Sequence, residues 1–128
     1  MRKQVDVLLA TYNGEKYLKQ QIESILNQTY KNIHLIISDD CSTDQTRKIL
    51  KRYERRENVT IYYQEQNLGY IRNFEFLLKK VSNELYMLSD QDDVWEKEKI
   101  EKSVAKLEKE NLDLVFGDLT PQNLKTLL

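Results

Sequence analysis

One cysteine, one proline and three glycines in 128 residues exclude several architectures at once. The lone Cys41 cannot build an internal disulfide framework, and it suits a reducing compartment. With so little Gly and Pro there is no flexible linker, low-complexity tract or internal repeat. Apolar runs such as Val7-Leu8-Leu9-Ala10 are far too short to cross a bilayer. Met1-Arg2-Lys3 is basic, but Asp6 interrupts what would have to be the apolar core of a signal peptide. Charge of one sign is lacking too. The 20 Lys and Arg nearly balance 21 Asp and Glu, leaving a formal net charge of -1. That balance argues against nucleic acid as a partner, since a general binder shows a basic excess or stripe. The reading is cytoplasmic, and it leaves open peripheral association of the full-length protein with the inner face of the membrane.

What is present is a regular alternation. Val5 to Ala10 reads as a buried strand, and Gly14 to Gln28 as a helix with Leu18, Ile22, Ile25 and Leu26 on one face. Ile33 to Ser38 is a second strand, followed by a helix from about Ser42 to Arg56 with Ile49, Leu50 and Tyr53 inward. Val59 to Tyr63 is a third strand, and Ile71, Phe74, Leu78 and Val81 mark the next helix. Leu85 to Leu88 is a fourth strand, and Trp95 to about Glu110 a helix with Ile100, Val104 and Leu107 inward. Leu112 to Phe116 looks like a fifth strand. The length fits one domain with a real core, and the βαβα order predicts a mainly parallel sheet with helices on both faces.

In open α/β sheets ligands bind outside the carboxyl ends of the strands. Three polar clusters fall at such ends: Thr11-Tyr12-Asn13-Gly14-Glu15, Asp39-Asp40-Cys41-Ser42-Thr43-Asp44, and Asp90-Gln91-Asp92-Asp93. Parallel strands would bring all three to one edge. The last cluster offers closely spaced oxygen ligands of the kind Mg²⁺ and Mn²⁺ take while bridging to phosphates. Each cluster also has a plain alternative. The Asp90 group can be an acidic turn capping the next helix, and Tyr12-Asn13-Gly14 a simple turn. Ser42 or Thr43 is a good N-cap for the second helix, with Asp44 in its first turn. Asn67-Leu68-Gly69 reads as a turn before the third helix, which puts Arg72 in the first turn facing solvent or a phosphate. His34 has no Cys or His partner nearby and reads as structural. Cys41 adjoins the acidic pair, which disfavours a thiolate nucleophile. The Lys- and Glu-rich run from Glu96 to Glu110 is a solvated helix face.

Taken together these motifs resemble family 2 glycosyltransferases, inverting enzymes of the GT-A fold. Val5-Asp6-Val7-Leu8-Leu9-Ala10-Thr11-Tyr12-Asn13-Gly14 is similar to their opening strand and loop. Ile36-Ile37-Ser38-Asp39-Asp40-Cys41-Ser42-Thr43-Asp44 matches a second signature, with Cys41 where Gly is more usual. Asn67-Leu68-Gly69-Tyr70-Ile71-Arg72-Asn73 resembles a third, and Asp90-Gln91-Asp92 fits the DxD metal motif. The fuller Leu88 to Trp95 form is similar to the rhamnosyltransferase-like subgroup.

The resemblance implies a GT-A, Rossmann-like three-layer α/β/α sandwich and a set of roles. Thr11, Tyr12, Asn13 and Glu15 would border the nucleoside, with Tyr12 stacking near the base. Asp40, or its neighbour Asp39, would accept the imide N–H of uracil or thymine. Arg72 would lie close to the base or the phosphates. Asp92 would be the first metal ligand, for Mn²⁺ or Mg²⁺, with Asp90 near the donor ribose or sugar and the metal's water shell. The partners implied are a UDP- or dTDP-sugar donor and a glycan or lipid-linked acceptor at the cell surface. Members normally continue into an acceptor-binding half that supplies a carboxylate general base. After Asp118 only ten residues remain, none acidic. The expectation is a donor-binding domain over residues 1–118 and a short tail over 119–128, with the acceptor half and its base missing and little transfer by the chain alone. Such a domain would expose an apolar face prone to self-association. Two other readings stand beside this one: a nucleotide-binding module without catalysis, and a receiver-like signalling domain. The receiver wants an acidic pair after the first strand and a phosphoacceptor Asp after the third, where this chain has Ala10-Thr11-Tyr12 and Tyr63-Gln64.

Overall fold

The computed structural model describes residues 3–90 and 93–110. Eight elements alternate along them: β1 (Val5–Thr11), α1 (Leu18–Leu26), β2 (Ile33–Asp39), α2 (Thr46–Lys51), β3 (Val59–Tyr63), α3 (Tyr70–Leu78), β4 (Leu85–Ser89) and α4 (Lys99–Glu110). The strands form one parallel sheet in the order β3-β2-β1-β4. The chain thus runs outward from β1 to β3, then returns to the far side of β1 as β4. A parallel sheet covered on both faces leaves no polar side to a central strand, and every residue of β1 is buried.

The strand alternation divides the core in two. Val5, Val7 and Leu9 point to the layer of α1, α2 and α4, where they meet Ile22, Ile25, Leu50, Trp95, Ile100 and Val104. Leu8, Ala10 and Ile36 point the other way, against Phe74 and Leu77 of α3. The expected three-layer α/β/α architecture is therefore the one observed. The fifth strand expected over Leu112 to Phe116 lies outside the described residues.

Helix boundaries differ from expectation where polar side chains serve the tertiary structure. The first helix begins at Leu18, because a turn precedes it in which the Gly14 carbonyl accepts both the Tyr17 and the Leu18 N–H groups. The second spans only Thr46–Lys51, and Ser42 and Thr43 do not cap it. Ser42 is drawn instead to Asp39 and Asn13, and Thr43 to Asn13. Asp44 takes over at the helix start, its Oδ1 accepting the Thr46 N–H at 2.8 Å. Partial burial pushes the Asp44 carboxyl up. The hydrogen bonds from Thr46 and Glu15 outweigh it, and the group ends below the usual carboxylate range. The last helix starts at Lys99 rather than Trp95.

Within the layer of α1, α2 and α4, Tyr53 donates to Glu23 Oε2 at 2.7 Å. Burial, then this bond and the Glu23 charge, push its phenol from 10.0 up to about 12. Folding therefore favours the protonated phenol, and this stabilisation is complete below pH 10 and lost as pH rises toward about 12. Tyr53→Phe should show a shallower alkaline loss of stability than the parent in urea melts across that range. Parallel curves would refute the coupling.

Candidate functional site at the carboxyl edge

The in-register pairing of Thr11 with Asp39 sets the two strand ends side by side. Asp39 is fully buried there and its carboxylate is saturated. Oδ1 accepts the Thr11 and Ser42 hydroxyls, each at 2.6 Å. Oδ2 accepts the Ser42 N–H at 3.0 Å and Arg47 Nε at 2.8 Å. No lone pair is left for a ligand. Asp40, only 4% exposed, accepts two backbone groups among the described residues, Leu68 N–H at 2.6 Å and Gly69 N–H at 3.0 Å. It retains acceptor capacity. Of the two candidates that the sequence left open, Asp39 is therefore the structural tie and Asp40 the group able to meet an N–H donor.

The loops after β1 and β2 are joined by their own hydrogen bonds. Asn13 N–H donates to Ser42 Oγ at 2.9 Å, and Thr43 N–H donates back to Asn13 Oδ1 at 2.8 Å. Gly14 N–H donates to Thr46 Oγ1 at 2.9 Å, and Glu15 N–H to Asp44 Oδ2 at 3.3 Å. Asn13 and Cys41 both hold positive φ, 48° and 61°. Non-glycine residues rarely adopt this region. It gives a physical reason for glycine where this chain has Cys41. Asn13 and Glu15 engage through these loop bonds, while the Glu15 side chain and the Tyr12 ring, 44% exposed, face the open edge.

The third loop, between β3 and α3, is positioned from below. Gln64 N–H donates to the Asp39 carbonyl at 2.9 Å, and Gln64 Nε2 to Ser38 Oγ at 3.0 Å. Ser38 Oγ donates to Asn73 Oδ1 at 2.6 Å, and Asn73 Nδ2 returns to the Ser38 carbonyl at 3.0 Å. Gly69 then turns into α3 with φ 87°, a conformation that suits glycine. Arg72 lies in the first turn of α3 as expected, exposed and without a hydrogen-bond or ion-pair partner among the described residues.

At the end of β4, the Asp90 carbonyl accepts the Asp93 N–H at 3.1 Å. Buried Gln21 of α1 anchors this strand end, donating to Ser89 Oγ at 3.0 Å and to the Asp90 carbonyl. Tyr70, beginning α3, donates to Asp90 Oδ1 at 3.3 Å. Burial and the Asp90 charge raise the Tyr70 phenol, so it stays a donor at neutral pH. Asp93 accepts the Trp95 indole N–H at 3.1 Å. His34 pairs with Thr60 Oγ1 at 2.7 Å inside the sheet, away from these loops. Asp92 lies outside the described residues.

Thr11, Tyr12, Asn13, Glu15, Asp39, Asp40, Arg72 and Asp90 thus share the carboxyl edge, where the strand order reverses at β1, the place at which open α/β sheets bind ligands. The sequence model described as Glycosyl transferase family 2 matches residues 6–127. The chain belongs to that family. Its relatives include the dTDP-rhamnosyl transferase RfbG of Shigella flexneri, 37% identical over 102 residues, covering 75% of this chain and 35% of RfbG. The UDP-Glc:alpha-D-GlcNAc-diphosphoundecaprenol beta-1,3-glucosyltransferase WfgD of Escherichia coli is 30% identical over 115 residues, covering 89% of this chain and 45% of WfgD. Among solved structures, S. aureus TarS 1–349 in complex with UDP-GlcNAc superposes with a TM-score of 0.77 at 29% identity, over 84% of this chain and 32% of that one. The chain spans less than half the length of these curated relatives.

Family 2 membership raises the question of a divalent cation, and among the described residues Asp90 is the expected ligand that can be judged. Asp90 is exposed, and of its carboxylate oxygens one accepts only the long Tyr70 bond. A hard cation that keeps several waters needs just one or two such carboxylates. Among the described residues no group of three His, Cys, Asp or Glu gathers into a fuller cage. Sequence reasoning missed Arg47, Gln64, Ser38, Asn73, Gln21 and Tyr70. Ser38, Tyr70 and Asn73 stand inside the quoted motifs without a role assigned to them, and Gln21 is legible as a polar residue at helical spacing within the apolar face of Leu18, Ile22 and Ile25.

Proposed function

We propose that residues 1–118 form the donor-binding portion of an inverting family 2 glycosyltransferase that uses a UDP- or dTDP-sugar and a divalent cation, Mn²⁺ or Mg²⁺. The observation that supports it best is the free acceptor capacity of buried Asp40 between the Tyr12 loop and the Gly69 turn. In this reading Asp40 accepts the imide N–H of uracil or thymine, and Tyr12 stacks near the base beside Thr11, Asn13 and Glu15. Arg72 faces the diphosphate. Asp92 holds the cation, with Asp90 at its water shell or the donor ribose. A bound cation would supply electrostatic stabilisation of the diphosphate leaving group. The acceptor is a cell-surface glycan or lipid-linked sugar, in keeping with the diphosphoundecaprenol in the name of WfgD. Its binding half and the general base lie outside the residues this reading uses. The protein works in the cytoplasm, at the inner face of the membrane where such acceptors are reached.

Titrating UDP and dTDP in Mn²⁺, in Mg²⁺ and in EDTA tests this. Binding should require metal, and Asp92→Ala should weaken it by about tenfold or more, roughly 1.4 kcal/mol. Asp40→Asn should erode the preference for uracil and thymine nucleotides over guanine ones. Binding that ignores metal and both substitutions would sink the proposal.

A further inference from the structure

Building on the donor-site reading above, we infer that Arg47 is a positioning residue for base recognition, acting through Asp39 and the Gln64 loop on Asp40. Two buried carboxylates stand next to each other in sequence at the end of β2, 0% and 4% exposed. A buried carboxylate needs a paired cation or hydrogen-bond donors to offset its lost hydration. Among the described residues Arg47 is the one cation paired with either. Its Nε donates to Asp39 Oδ2 at 2.8 Å, and its Nη2 donates to the Gln64 carbonyl at 2.5 Å. The guanidinium also lies over the Tyr63 ring, 5.3 Å from its centroid. Tyr63 in turn is fixed by donating to Glu54 Oε1 at 2.6 Å.

This fork joins two things that base reading needs. It ties Asp39 Oδ2 beside the Thr11 and Ser42 donors and fixes the end of β2. It also fixes Gln64, where the loop begins that delivers the Leu68 and Gly69 N–H groups to Asp40. Those two bonds set the direction of the remaining Asp40 lone pairs. A lysine cannot reproduce the arrangement, because an ammonium is a point charge without the planar fork that spans a carboxylate and a carbonyl.

The test uses UDP and CDP with the 128-residue chain in Mn²⁺. Uracil presents an imide N–H to a carboxylate, whereas cytosine presents a ring acceptor at the same position, so the ratio of affinities reports Asp40 alignment. Arg47→Gln should weaken UDP by about tenfold, lower the UDP-to-CDP ratio several-fold and leave the dependence on Mn²⁺ over EDTA intact. Arg47→Lys keeps the positive charge, should fold by circular dichroism, and should still lose most of the ratio. A parental ratio in Arg47→Lys, or an equal loss for UDP and CDP in Arg47→Gln, would overturn the role of Arg47 alone. A parent that binds UDP and CDP alike would overturn the donor-site reading, and the role of Arg47 with it.

Discussion

Asp39→Ala should lower the free energy of unfolding by about 3 kcal/mol, and cut nucleotide affinity at least about tenfold. The carboxylate has no solvent exposure and receives four hydrogen bonds, from Thr11, twice from Ser42, and from Arg47. Removing it strands the buried Thr11 hydroxyl and the Ser42 N–H, each costing about 1 kcal/mol or more. Breaking a fully buried ion pair costs about 3–5 kcal/mol, but the Arg47 side chain keeps 33% of its exposure and can turn toward water. The lower end of that range therefore applies. Asp39→Asn should fall between, since an amide oxygen can still accept from Thr11 while the charge is lost. Urea melts decide the matter: an alanine variant within about 1 kcal/mol of the parent would mean that the carboxylate does not tie these strand ends.

The second large effect is expected far from any ligand. Gln28 is fully buried at the end of the first helical layer. Its Nε2 donates to the Ser24 carbonyl at 3.0 Å and the Glu96 carbonyl at 2.6 Å, and its Oε1 accepts the Ile100 N–H at 3.0 Å. The Ile100 N–H belongs to the first turn of α4, where no carbonyl of the helix itself can accept it. Gln28 is thus a cap supplied by the segment that follows α1. Gln28→Ala leaves the Ile100 N–H without a protein partner, removes one of the two donors to the Glu96 carbonyl (Lys99 N–H remains at 3.1 Å) and opens a small void, for an expected loss of about 2–4 kcal/mol. Hydrogen exchange at Ile100 should quicken more than at Leu35, which sits in the sheet. Unchanged protection at Ile100 would refute the capping role.

The layered fold was readable because its residues obey simple periods. Val5, Val7 and Leu9 alternate with Leu8 and Ala10, and Leu18, Ile22 and Ile25 repeat at helical spacing. Both patterns survive in the structure because burial, the dominant force, acts along them. Helix starts were less legible. Ser42 has the chemistry of an N-cap, but a buried carboxylate three residues earlier competes for the same hydroxyl and wins. Local propensity cannot see that competition. The same limit applies to the acidic pair: sequence puts Asp39 and Asp40 on equal footing. Only the count of donors around each separates the saturated anion from the available one. Arg47 escaped notice because it reads as one cation in a basic helix. Its partners lie in another strand and loop, and no spacing rule links them.

The reciprocal bonds between the loops after β1 and β2 have a consequence for how relatives of this chain can diverge. Residues 12–15 and 42–46 act as one part, since each backbone is pinned by the other's side chains. A drift in one is corrected only by a matching drift in the other, so this jaw should be slow to change as lineages adopt new donors. The loop from Glu65 to Gly69 touches Asp40 chiefly through main-chain N–H groups, which, apart from the positive φ that favours glycine at Gly69, many sequences can provide. Inherited novelty in donor choice should therefore accumulate there first, on the side of the cleft that is hung rather than sewn.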